Sequence, residues 1–146
     1  MKTEPVFYSK ENKLYKISDN SLVNLNNLKK IKLSWAKIEP KDEIYDEEFL
    51  ANLRNELKSL ENVQNFVILV PVIDKSLKNQ EQTELFINAF NHTARRIKDC
   101  TNVVGFEIPC ELKNIDDFIE TLSKKHPQYV YFSESKETAN ASIIVY

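Results

Sequence analysis

The chain has 146 residues, 42% of them hydrophobic and 29% charged, with a net charge of −2; that is enough for one domain around one core, but too little for a closed eight-stranded α/β barrel of roughly 250 residues. Both signs of charge are spread along the sequence, which gives no electrostatic case for nucleic acid, and no stretch is long and apolar enough to insert in a membrane. A single glycine, Gly105, excludes every glycine-rich phosphate or dinucleotide loop, the two cysteines, Cys100 and Cys110, fit no metal-binding spacing, and no cofactor is expected.

The opening residues MKTEPVFYSK lack the apolar core of a secretion leader. A cytoplasmic location is therefore the default expectation, and an extracellular one would follow only if a leader had been removed. Val6 to Tyr8 and Lys13 to Ile17 are short, partly alternating runs around Lys10-Glu11-Asn12, and they predict a hairpin. Leu22 to Leu28 reads as a brief strand followed by a turn. Ile31 to Ile38 alternates, IKLSWAKI, and predicts a strand that ends at Glu39-Pro40 and carries Trp35 and Glu39 near its C-terminal end.

Asp46 is a fitting N-cap, with Glu47 and Glu48 favouring the positive end of the dipole. Phe49, Leu50, Leu53, Leu57 and Leu60 then share one face at helical spacing. FVILVPVI, Phe66 to Ile73, is the longest apolar run and predicts a strand buried on both faces; Pro71 should mark its end or a break in its pairing. A second helix is expected over Gln82 to Lys98, burying Leu85, Phe86, Ala89, Phe90 and Ile97, and a strand over Val103 to Ile108, stopped by Pro109. Asn114 can cap a third helix whose apolar side is Phe118, Ile119 and Leu122. Tyr129 to Phe132 and Ala141 to Tyr146 read as strands, with turn composition in the intervening SESKETAN. The alternation of strand and helix predicts right-handed crossovers, a mostly parallel sheet, and binding groups beyond the strands' C-terminal ends.

Those ends carry Trp35, Glu39, Asp74, Glu107, Glu111, Ser133 and Glu134. An indole beside carboxylates can stack on a pyranose while the acid oxygens accept from hydroxyls; equally, Trp35 is a large core residue, and Glu39 and Asp74 are solvated loop charges. Glu107 lies inside an apolar run, so it must be paired, exposed at an edge or shifted in pKa. Glu111 shares its parity if the backbone stays extended past Pro109. His92 and His126 make no metal pair by spacing, and Cys110 has no identifiable histidine partner for thiol chemistry.

Several of these segments resemble the barrel class of cellulase-like glycoside hydrolases that includes glycoside hydrolase family 5. NKLYKISDNSLVNLNNL resembles the hairpin and first strand that open those domains, and KIKLSWAKIEPKDEIYDEEFLANL their second strand with its tryptophan. FVILVPVI is similar to strand three, NVVGFEIPCEL to strand four, and FIETLSKKHPQYVYFSES to the passage into strand five. The resemblance implies a partial, half-barrel α/β domain with an N-terminal hairpin. It places Glu111 at the acid/base position and Cys110 in place of a sugar-binding asparagine. From the residues themselves, Glu107 or Glu134 is the candidate second carboxylate, and Trp35, Glu39, Cys110 and Glu134 are the candidate ligand contacts. The strand that supplies the family's nucleophilic glutamate has no counterpart here, so the expected function is a non-catalytic domain that binds carbohydrate or a protein partner. Hydrolysis of a β-glucan-type substrate is the alternative, and a structural protein with a decayed sugar site is the third reading. A half-barrel sheet also leaves an edge and an apolar flank, from which a homo-oligomer is expected.

Overall fold

The structure, a computed structural model, describes residues 4–135 and 142–146. Strands β1 (Phe7–Lys10) and β2 (Lys13–Lys16) pair antiparallel, and Glu11 and Asn12 between them both take positive φ, 51° and 63°, the pair that a two-residue type I′ hairpin turn requires. β3 (Leu22–Val23) joins β2, completing a small sheet before a short 3₁₀ turn at Leu25–Asn27. The expected hairpin and brief strand are both present. The segment that resembles a first barrel strand, however, pairs with the hairpin and not with the main sheet, because only five residues separate Val23 from the next strand.

The main sheet contains β4 (Lys29–Ser34), β5 (Val67–Val72), β6 (Val103–Glu107), β7 (Val130–Ser133) and β8 (Ile143–Val145), all parallel and side by side in chain order. Between them run α1 (Trp35–Ile38), α2 (Glu47–Asn62), α3 (Gln80–Arg96) and α4 (Ile115–Ser123). Leu33, Leu69, Phe106 and Tyr131 meet Leu53, Leu57, Phe86, Phe90 and Phe118 in one apolar layer. On the other side of the sheet Ile68, Val104, Val130, Phe132 and Ile144 pack against Phe7 and Leu14 of the hairpin. Helices on one face and consecutive parallel strands make a partial barrel-like arrangement, an open sheet with β4 and β8 at its edges.

Several local expectations need correction. The strand predicted to reach Ile38 stops at Ser34, whose hydroxyl accepts from Lys37 N at 3.1 Å and turns the chain into α1. Pro71 sits within β5: pairing with β4 continues through Val72, while registered pairing with β6 ends at Leu69, so the proline lies where one of the two ladders has ceased. Asp46 caps α2 as expected, accepting from Phe49 N at 3.0 Å. Asn114 stands at the N-cap of α4 as expected, but its side chain makes no capping bond and its amide donates to Gln80 Oε1 instead. The expected strand start at Ala141 and most of the SESKETAN turn lie outside the described residues.

The two sheet edges differ. Along β8, the Asn12 amide accepts from Val145 N at 2.7 Å and donates to Val145 O at 2.9 Å, so one side chain takes the place of a neighbouring strand. β4 instead presents Lys29, Lys30 and Lys32, a charge pattern that discourages strand addition. Association through either edge therefore has a specific obstacle.

His126 is 3% exposed and its Nε2 has no partner among the described residues. Burial, reinforced by Arg95, Lys98 and Lys125, lowers its pKa below the usual histidine value. The unfolded chain then takes up the proton first, so stability is expected to fall as pH drops below about 6.5. Urea titrations at stepped pH should show that slope flattened in His126→Gln; an unchanged slope would remove His126 as its source.

Candidate functional site

At residues 103–105 the β5–β6 register slips: Val67 faces Val103, yet Ile68 faces Gly105. The extra residue restores Phe106 to the helical layer and puts Glu107 on the opposite face, level with Phe132 of β7. There Glu107 Oε1 accepts from Lys30 Nζ at 3.2 Å and from the Tyr146 hydroxyl at 2.5 Å. Lys30 Nζ also reaches Glu134 Oε1 at 3.4 Å and lies 4.0 Å from the centre of the Tyr146 ring, which stacks on Phe132. Burial first, then the bond to Glu107, raises the Tyr146 phenol well above its ordinary pKa, so it remains a neutral donor.

Glu107 is thus the paired carboxylate that its position in an apolar run requires, with a side chain only 12% exposed. Glu134 is largely exposed beside it. Glu111 does not join them. β6 ends at Glu107, the chain turns, and Glu111 lines a separate groove between the starts of α3 and α4 with Lys78, Asn79, Thr83 and Lys113. The extended backbone that would have kept Glu107 and Glu111 in common register is absent, and Cys110 is an exposed free thiol on the same turn.

Trp35 and Glu39 also leave the expected site. Trp35 is 1% exposed, edge-on to Phe86 in the core, so its indole presents no platform to a sugar. Its Nε1–H donates to Glu39 Oε1 at 2.7 Å, and Glu39 Oε2 accepts from Glu43 N at 2.7 Å. Lys75 closes this knot, donating to the Glu39 carbonyl at 2.8 Å and standing 3.5 Å from its carboxylate. Glu39 is a buried structural acid and not a solvated loop charge. Asp74 is exposed but engaged, accepting from the Ser34 hydroxyl and from Ala36 N, which holds α1 against β4.

The remaining reactive side chains are structural as well. His92 stacks on Tyr45 and bonds Glu47, which Arg96 also holds; Arg96 chiefly keeps that carboxylate below its usual pKa. Burial pushes the Cys100 thiol up to about 11, away from nucleophilic use. Among the described residues no three His, Cys, Asp or Glu side chains converge to hold a metal ion. The sequence reading missed Lys30 and Tyr146. Their only signal was a lysine inside the alternating run KKIKLS and a tyrosine closing an apolar strand.

No protein-family model matches the chain, and no curated protein matches it in sequence. Solved structures do resemble it. Endo-glycoceramidase II from Rhodococcus sp., in a ganglioside GM3 complex, matches with a TM-score of 0.61 at 12% identity over 73% of this chain and 40% of its own. The same enzyme with a cellobiose-like isofagomine gives 0.60 at 10% identity over 73% and 41%. A family 39 glycoside hydrolase from the gut symbiont Bacteroides cellulosilyticus WH2 gives 0.55 at 15% identity over 71% and 25%. The chain spans about two fifths of the endo-glycoceramidase, and the likeness is one of fold: a glycoside-hydrolase-like α/β arrangement.

Proposed function

We propose that this chain is a glycoside-hydrolase-like α/β domain that binds carbohydrate without cleaving it. The observation that carries the reading is the engagement of Glu107. Glu107, the more enclosed of the two carboxylates at the ends of β6 and β7, already holds an ammonium and a phenol, while Glu111 stands in another groove. Glycosidic cleavage needs two carboxyl groups bracketing one bond, about 5 Å apart for retention and farther for inversion. Here Glu107 and Glu134 instead flank a single lysine.

Binding asks less of the same surface. A hydroxyl-rich ligand needs a few fixed donors and acceptors beside an apolar floor, and the face above the hairpin offers Lys30, Lys32 and Glu134 around the half-buried Val70 and Val72. The ligands named with the similar enzyme point to a β-linked oligosaccharide of cellobiose or lactose type.

Titration of isotopically labelled protein with cellobiose and lactose should move the amide resonances of Lys30, Lys32, Glu107 and Glu134, with a Kd of about 1 mM. Glu134→Gln should weaken that binding several-fold without changing the fold. No reducing ends should accumulate. Release of reducing sugar that Glu111→Gln abolishes in a folded protein would overturn the proposal in favour of a β-glucan hydrolase with Glu111 as acid. Silence across a broad glycan panel would replace it with a structural or oligomerisation protein whose sugar site has decayed.

A further inference from the structure

The small antiparallel sheet has a second face, turned away from the core. Phe7 and Leu14 point inward, so the alternate residues Tyr8, Tyr15 and Leu22, opposite one another across the three strands, point out. Val6 and Ile17, joined by a backbone bond at 2.9 Å, continue the row at one end. Val6, Ile17 and Leu22 are 37%, 45% and 62% exposed, and the two tyrosines stack at 5.3 Å between them. Of the five large hydrophobic side chains that the described residues leave most exposed, three therefore share this one face.

The same alternation puts Lys10 and Lys13 on this face at the hairpin tip, directly opposite each other. Like charges across a strand pair destabilise it, and among the described residues neither lysine has a carboxylate within ion-pair distance. An apolar row ending in an uncompensated cationic pair thus stands on a chain whose net charge is −2.

We propose that this face docks on an anionic phospholipid surface, with Leu22, Val6 and Ile17 entering the headgroup boundary, the tyrosines at its level and Lys10 and Lys13 against the lipid phosphates. Aliphatic tips, interfacial tyrosines and unpaired lysines on one side of an element are the composition that such a boundary accepts. A second copy fits less well. The row exposes on the order of a few hundred Å², against roughly 800 Å² per partner in a standard stable interface, and an identical face would bring a second lysine pair to the same row. The contact is peripheral: no helix among the described residues is long and apolar enough to cross a membrane.

Co-sedimentation with vesicles of phosphatidylcholine and phosphatidylserine, compared with phosphatidylcholine alone, tests the proposal. Binding is expected only to the anionic vesicles, to weaken by about tenfold or more in Lys10→Glu/Lys13→Glu, and to fall in 0.5 M salt, a setting beyond roughly 0.15 M physiological ionic strength. Leu22→Gln should also reduce it while leaving the melting curve in place. No binding to anionic vesicles, or binding indifferent to all these changes, would overturn the assignment. So would a dimer in sedimentation velocity that Leu22→Gln dissolves, which would give the face to a second copy.

Discussion

Gly105→Ala is expected to abolish the fold. A Cβ at that position would lie 1.5 Å from the Val130 carbonyl oxygen and 2.6 Å from the carbonyl carbon, deep in the β6–β7 ladder. Flexible side chains can move aside, but here the obstacle is backbone in the middle of a parallel sheet, so β6 and β7 would have to separate. Overpacking alone costs about 1–3 kcal/mol, and loss of the central ladder adds enough to pass roughly 5 kcal/mol, comparable with the whole stability of many domains. The variant should be insoluble, or should lack a cooperative urea transition by circular dichroism. Val130→Ala should not rescue it, since the clash is not with that side chain. A soluble Gly105→Ala protein with wild-type stability would refute the assigned register, and with it the bulge that aims Glu107 at Lys30.

That bulge marks where local sequence ceases to decide. β5 was legible because its residues are apolar on both faces, and α2 because Leu50, Leu53 and Leu57 repeat at helical spacing behind an Asp46 cap. IKLSWAKI satisfied strand alternation equally well, yet Trp35 begins a helix because Ser34 caps it and Asp74, from beyond β5, holds both the Ser34 hydroxyl and the Ala36 amide. Glu39 looked like a solvated loop charge because its counter-ion comes from the next strand–helix unit. Glu107 announced that it needed a partner. It could not say which, because Lys30 and Tyr146 come from β4 and from the far end of the chain. Glu111 was placed beside it by parity, and parity lapses once the backbone leaves the extended state after Ile108. Elements set by composition within a few turns were therefore readable, whereas the site depends on pairs fixed only when the sheet assembles.

Removing one member of the Glu39–Lys75 pair should be the second most damaging change. Glu39 is 0% exposed and its two oxygens serve Trp35 Nε1 and Glu43 N, so the carboxylate is tolerated because donors surround it and Lys75 supplies charge. Lys75→Met leaves that charge buried and is expected to cost about 3 kcal/mol; Glu39→Leu also strands the indole N–H and a backbone amide and should cost about 4 kcal/mol. The double variant Glu39→Leu/Lys75→Met should recover part of the loss, because no buried charge remains, but not all of it, because the two N–H donors still lack acceptors. Urea unfolding of the four proteins closes the cycle. The outcome also separates the two roles considered for Trp35 and Glu39. Were they a sugar platform, these variants would weaken glycan binding at unchanged stability. A structural knot predicts the reverse, lowered stability with binding at the Lys30 and Glu134 face retained below the melting transition.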